Sequence, residues 1–157
     1  MNCRLLPLVV LVLSVGASTS AQEKAKFMLS EDEQRVIDLT NAERKKKDLP
    51  PLKCSQVLCE VAKAHSTNMA KQIKVEHNLD GKSPYDRIKA AGYRYMVAGE
   101  NLARADVTVE EVMAAWMASQ DHRDNILDTE YTEIGIGLVR DEQNTYYTQV
   151  FAKPRKK

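Results

Sequence analysis

The sequence predicts an α+β fold in a single domain, with helices gathered early and an antiparallel sheet formed late. Three observations predict it. Capping signatures open stretches of helical periodicity through the first two thirds of the chain, and two alternating runs, Thr132 to Arg140 and Thr145 to Lys153, close it. The four residues between those runs, Asp141-Glu142-Gln143-Asn144, have hairpin chemistry. A layout of this kind places helices on the faces of the sheet.

From the N-terminus, residues 1–21 read as an export leader: a single positive charge at Arg4, an apolar stretch from Leu5 to Val15, then small residues Gly16 to Ala21. The apolar stretch is about half the roughly 20 residues a spanning helix needs, so no membrane span is expected in the mature form. Removing the leader takes one of 23 basic residues and none of the 22 acidic ones, leaving the mature side chains in charge balance. That balance argues against nucleic acid as a partner. The clusters Lys45-Lys46-Lys47 and Lys153 to Lys157 read as a solvated helix end and a frayed tail. The expected organisation is a leader (1–21), an extension (22–29), one domain (30–153) and a basic tail (154–157), secreted as a monomer.

Ser30-Glu31-Asp32-Glu33 has the reciprocal capping pattern, and Val36, Ile37, Leu39 and Ala42 follow at helical spacing, predicting a helix from about Glu31 to Lys47. Asp48 and Leu49-Pro50-Pro51 end it. A second helix is predicted from Ser55 or Gln56 to Ile73, with Val57, Leu58, Val61, Ala62, His65 and Met69 turned inward. Residues 75–82 are crowded with Asn, Asp and Gly, which predicts a loop with a tight turn at Asp80-Gly81. Ser83-Pro84-Tyr85-Asp86 then opens a short helix that Gly92 stops. A strand is expected over Met96 to Leu102. Thr108-Val109-Glu110-Glu111 opens a further helix through Val112, Ala115, Trp116 and Ser119, and residues 121–127 form a turn or short helix.

Two cysteines follow the leader, Cys54 and Cys59. Inside one continuous helix their Cα atoms would lie about 8 to 9 Å apart, beyond the roughly 7 Å a disulfide tolerates, so a bridge requires Cys54 to lie outside the helix. Ser55 is a good helix cap and would leave it there. The pair is a candidate disulfide and is not expected to hold metal by itself.

The segments Asn41-Ala42-Glu43-Arg44, Leu49-Pro50-Pro51-Leu52 and Ala64-His65-Ser66 resemble the first half of a bacterial-type domain of the CAP superfamily. Gly99-Glu100-Asn101-Leu102, His122-Arg123-Asp124-Asn125-Ile126-Leu127 and Thr132-Glu133-Ile134-Gly135-Ile136-Gly137 resemble its second half. The superfamily includes cysteine-rich secretory proteins, venom antigens and plant pathogenesis-related proteins. The resemblance implies a three-layer α-β-α sandwich with a central antiparallel sheet and a solvent-filled cleft. In many members the cleft carries two histidines and two acids and can bind a divalent cation such as Zn2+. The match places the histidines at His77 and His122 and one acid at Glu100; Ser119 stands where the second acid would be. Asp48 stands where the family often has Gly, at a left-handed helix end that Asp tolerates.

Two neutral imidazoles and a carboxylate are a partial zinc ligand set, which an open site completes with water. Glu100 could equally pair with an arginine, because a buried carboxylate without a partner is costly. His65, among apolar and small residues, reads as a hydrogen-bonded core histidine. Asn41 and Arg44 are expected to tie helix ends to the sheet. The resulting expectation is a non-enzymatic extracellular binding module for a small apolar, lipid or wall-derived peptide or glycan ligand. The alternative is a hydrolase, driven by metal or by Ser119, which stands three residues from His122 and so shares its helix face if the helix continues.

Overall fold

The structure, a computed structural model, describes residues 27–156, so the leader and most of the extension lie outside the described residues. In chain order the elements are α1 (Glu31–Lys45), β1 (Lys53–Cys54), α2 (Gln56–Gln72), α3 (Pro84–Ala90), β2 (Tyr95–Ala105), α4 (Val109–Ala118), α5 (Gln120–Leu127), β3 (Glu133–Arg140) and β4 (Thr145–Pro154).

The predicted caps set the helix starts. Ser30 Oγ accepts the Glu33 amide while a Glu33 carboxylate oxygen accepts the Ser30 amide. The same reciprocal box opens α3 through Ser83 and Asp86, and α4 through Thr108 and Glu111. Each cap satisfies amides left free by the first helical turn, a contribution of about 1 kcal/mol. Ser55 occupies the cap position of α2 but its side chain makes no capping bond there. Left-handed backbone appears at Asp48 (φ 57°), at Ile73 (φ 54°), where α2 ends, and at Asp80-Gly81 (φ 52° and 69°), the expected tight turn.

The four strands are ordered β1-β3-β4-β2. β2 and β3 both run antiparallel to β4, while β1 pairs parallel with β3. The antiparallel sheet is therefore three strands wide, and β1 adds a two-residue parallel edge too short for any periodicity to announce.

Alternation along β3 separates the two faces. Ile134, Ile136 and Leu138 join Val36, Ile37, Val112, Met113, Trp116 and Ile126 in the larger core, under α1, α4 and α5. On the opposite face stand Gly135 and Gly137, against α2. A Cβ on Gly135 would lie 2.2 Å from the Leu58 carbonyl carbon, and one on Gly137 2.2 Å from the Lys63 nitrogen, so only glycine lets the helix backbone rest on this strand. Leu58, Val61 and Ala62 of α2 then meet Ile88, Val150 and Ala152 in a second core. The result is the three-layer α-β-α sandwich. Each fully buried Ile, Leu or Val contributes about 1.5–3 kcal/mol to it.

Polar ties lock the layers. Glu33, in α1, accepts the Leu138 amide of β3 at 3.1 Å and the Lys63 ammonium of α2 at 3.1 Å. Arg44 is buried at 1% exposure and donates to the carbonyls of Pro50, Ile126 and Asp128. Asn41 exchanges two bonds with the backbone of Leu52. The expectation that Asn41 and Arg44 reach the sheet is thus corrected: Asn41 binds the backbone of Leu52, just before β1, and Arg44 binds two loop carbonyls and that of Ile126 in the last turn of α5, groups that lack ladder partners and so take side-chain ones. Cys54 lies outside the helix, and its Sγ stands 3.7 Å from that of Cys59, with both thiols free.

Candidate functional site

His77 sits on the loop after α2, and Glu100 in the middle of β2, where pairing with Val150 holds it. Their side chains meet: His77 Nδ1 lies 2.9 Å from Glu100 Oε1. The second oxygen, Oε2, accepts Arg87 Nη2 at 2.6 Å. Arg87, on α3, also donates through Nη1 to the carbonyls of His77 and Lys82. Its guanidinium therefore neutralises the carboxylate and fastens the loop that carries the histidine. The Glu100 side chain is 2% exposed and that of Arg87 12%, while that of His77 is 51% exposed. Sequence reasoning required some partner for Glu100 and held an arginine as one alternative without saying which; a lone arginine on a short, charged helix reads as solvated.

A carboxylate can only accept, so the neutral His77 ring must carry its proton on Nδ1, leaving Nε2 as a lone pair. Nε2 has no protein partner among the described residues. His77 also lines a cavity of about 480 Å³, together with Asn78, Tyr85, Gly99, Glu100, Asn125 and Tyr131, among others. Gly99 is required here, because a Cβ would stand 2.3 Å from the Tyr131 hydroxyl.

His122 lies on α5 with its ring centroid 6.5 Å from that of Trp116, and it is not among the residues lining that cavity. Burial holds its pKa below the ordinary histidine value, and the nearby His77 adds to the effect, so the two imidazoles are within electrostatic reach of one another. Its carbonyl accepts Asn101 Nδ2 at 3.0 Å, which anchors α5 to the strand beside Glu100. Ser119 marks the junction of α4 and α5, and its hydroxyl neither caps α5 nor bonds to His122 among the described residues. The four predicted residues thus divide: His77 and Glu100 touch, His122 stands near, and Ser119 is apart from both in its bonding. His65 is 1% exposed, with Nε2 donating to the Glu76 carbonyl at 3.1 Å and Nδ1 unpaired.

Asn125 and Tyr131 line the cavity and Asn101 and Gln149 lie fully buried behind them, and none of the four was singled out as a site residue from sequence. Their bonds run in one sense. Tyr131 donates to Asn125 Oδ1 at 3.5 Å, Asn125 to Asn101 Oδ1 at 2.9 Å, and Asn101 to Gln149 Oε1 at 3.1 Å. Gln149 donates to Thr40 Oγ1 and Thr40 to the Val36 carbonyl, each at 2.8 Å. The carbonyl of His122 can only accept, which turns the Asn101 nitrogen toward it and fixes the direction of the chain.

The family model of the cysteine-rich secretory protein family, CAP, matches residues 37–151. YkwD of Bacillus subtilis, an uncharacterised protein, is 40% identical over 139 residues, spanning 88% of this chain and 53% of its own length. An extracellular SCP-domain protein of Bacillus anthracis has a similar structure at 29% identity and a TM-score of 0.72, covering 78% of this chain and 40% of that one. An outer surface protein of Borrelia burgdorferi shares the fold at 23% identity and a TM-score of 0.77, covering 82% of this chain and 97% of that one. The chain therefore spans about half of its Bacillus subtilis relative, which continues beyond the shared part. No helix among the described residues is long and apolar enough to cross a membrane. With the family model matching from within α1 to within β4, the chain belongs to the cysteine-rich secretory protein (CAP) family.

Proposed function

We propose that the chain is an extracellular, non-enzymatic binding module whose cleft receives a donor-rich ligand, a wall-derived glycan or peptide. The observation that carries this reading is the Glu100 carboxylate behind His77, which turns an imidazole lone pair outward. Tyr85 and Tyr131 add ring surface and Asn78 and Asn125 add amides to the same cavity, a mixture that suits hydroxyl- or amide-bearing ligands better than a lipid chain. Extracellular placement is supported by the predicted leader and by relatives described as extracellular or outer-surface proteins.

A divalent cation such as Zn2+ is the second candidate occupant. Both Glu100 oxygens are already engaged, and no three His, Cys, Asp or Glu side chains form a metal-holding group among the described residues. What fits a cation is His77 Nε2, oriented by a carboxylate at the other ring nitrogen as metal-binding histidines usually are, with His122 as a second imidazole. Two imidazoles fall short of the three or four protein ligands of ordinary zinc sites. Cation binding is accordingly proposed as weak, with a ligand or water supplying the remaining donors.

Calorimetry on chelator-treated protein, with zinc and separately with a soluble peptidoglycan fragment, tests both parts. Saturable heat that His77→Ala abolishes is expected. Silence from both probes would remove the binding reading, and turnover of peptide, ester or peptidoglycan substrates, lost in His122→Ala, would replace it with a hydrolase.

A further inference from the structure

Cys54 stands in the edge strand β1 and Cys59 in the first turns of α2. Their sulfurs lie 3.7 Å apart, so closing to the roughly 2.05 Å of a disulfide requires a shift of under about 2 Å. Cys54 is exposed, whereas Cys59 is 3% exposed and its sulfur accepts the Ile136 amide of β3 at 3.4 Å. The strand itself is held by only two parallel register pairs, Lys53 with Glu133 and Cys54 with Ile134. We propose that this dithiol is a modification site: the two sulfurs close into a disulfide that pins β1 to α2 and, once formed, resists reduction.

The chemistry is a two-step exchange with a disulfide oxidant, glutathione disulfide being the simplest probe. The Cys54 thiolate attacks one oxidant sulfur, forming a mixed disulfide and expelling one glutathione thiolate. Cys59 then gives up its proton, and its sulfur attacks that of Cys54 and expels the second thiolate. Two protein thiols are oxidised, and one disulfide is reduced to two glutathione thiols. Exposure makes Cys54 the entry point, since exchange requires access to the attacking sulfur.

Reversal follows the same geometry. A reducing thiol can reach only the Cys54 sulfur, so Cys59 must be the leaving group. Burial pushes the Cys59 thiol up to about 12, with the neighbouring Cys54 adding to the effect, and a thiolate of high pKa leaves slowly.

Both cysteines fall in one tryptic peptide, residues 54–63, separate from Cys3. The full chain is treated with glutathione disulfide, alkylated with N-ethylmaleimide under denaturing conditions and mapped by mass spectrometry. The expected peptide carries no maleimide and weighs about 2 Da less than its dithiol form. Dithiothreitol should open the bridge at least about tenfold more slowly in native protein than in urea, and the bridged form should melt on the order of 5–10 °C higher than the dithiol form. The variant Cys59→Ser should instead retain a glutathione adduct on Cys54. Two maleimides on the peptide after oxidation, or a glutathione adduct on wild-type Cys54 that never resolves, would overturn the proposal. Equal reduction rates in native and unfolded protein would overturn the durability, and an unchanged melting temperature would overturn the pinning.

Discussion

Arg87→Met tests the electrostatic centre of the site. The substitution keeps most of the side-chain bulk but removes the charge that meets Glu100 at 2.6 Å, along with the donors to the His77 and Lys82 carbonyls. The Glu100 side chain is 2% exposed, so it cannot recover water in exchange, and the half-exposed His77 is its only remaining side-chain partner among the described residues. Breaking one side of a buried pair typically costs about 3–5 kcal/mol. Against a domain stability of roughly 5–15 kcal/mol, that is a large share. With a urea m-value of about 2 kcal/mol/M, the unfolding midpoint should fall by about 1.5–2.5 M. The double variant Arg87→Met/Glu100→Met should lie closer to wild type than Arg87→Met alone, because no charge is then stranded. Circular dichroism across a urea series reads both. A loss below about 1 kcal/mol for Arg87→Met, or single-variant effects that simply add, would refute the reasoning.

Three further outcomes are expected. Gly135→Ala should cost about 3 kcal/mol or prevent folding, since its methyl would overlap the backbone of α2, and thermal melts would show it. Ile73→Gly should stabilise by about 1 kcal/mol: this β-branched residue holds φ 54° and is 64% exposed, so glycine relieves strain at little loss of packing, and an unchanged or lower melting temperature would count against it. Burial is the main cause holding the folded-state pKa values of His65 and His122 below the histidine value of 6.5. The unfolded chain then binds more protons, so stability is full above pH 6.5 and falls as pH drops below it toward the folded values; a flat melting profile between pH 7.5 and 5.5 would contradict this.

Where local chemistry decides the outcome, the sequence was legible. Ser30, Ser83 and Thr108 cap helices because short polar side chains beside an Asp or Glu three residues on satisfy the first amides wherever the rest of the chain goes. Asp48 takes the left-handed end that the missing glycine would have taken. The partner of Glu100 was legible as a need, from the cost of a buried carboxylate, but Arg87 was not legible as the answer. Its identity depends on how α3 lies against β2, a tertiary fact. The amide row was hidden for the same reason: Asn101 and Gln149 read as ordinary strand residues until register sets them side by side across β2 and β4. β1 was missed because two residues carry no period, and α5 was left between turn and helix because its eight residues are mostly polar.

The one-way relay beneath the site has a consequence for what the site can recognise. Because Tyr131 hands its hydroxyl hydrogen inward, what its oxygen offers the cavity is electron density, and each later member of the row polarises the one before it. A helix carbonyl at Val36, on α1 in the same core layer as Tyr131, thus helps set the polarity of the cavity wall from the far end of the row. Such a row works only as a whole, so natural variants should exchange Thr40, Asn101, Asn125 and Gln149 together, and a sequence that replaces one of them alone by an apolar residue should answer to a different ligand.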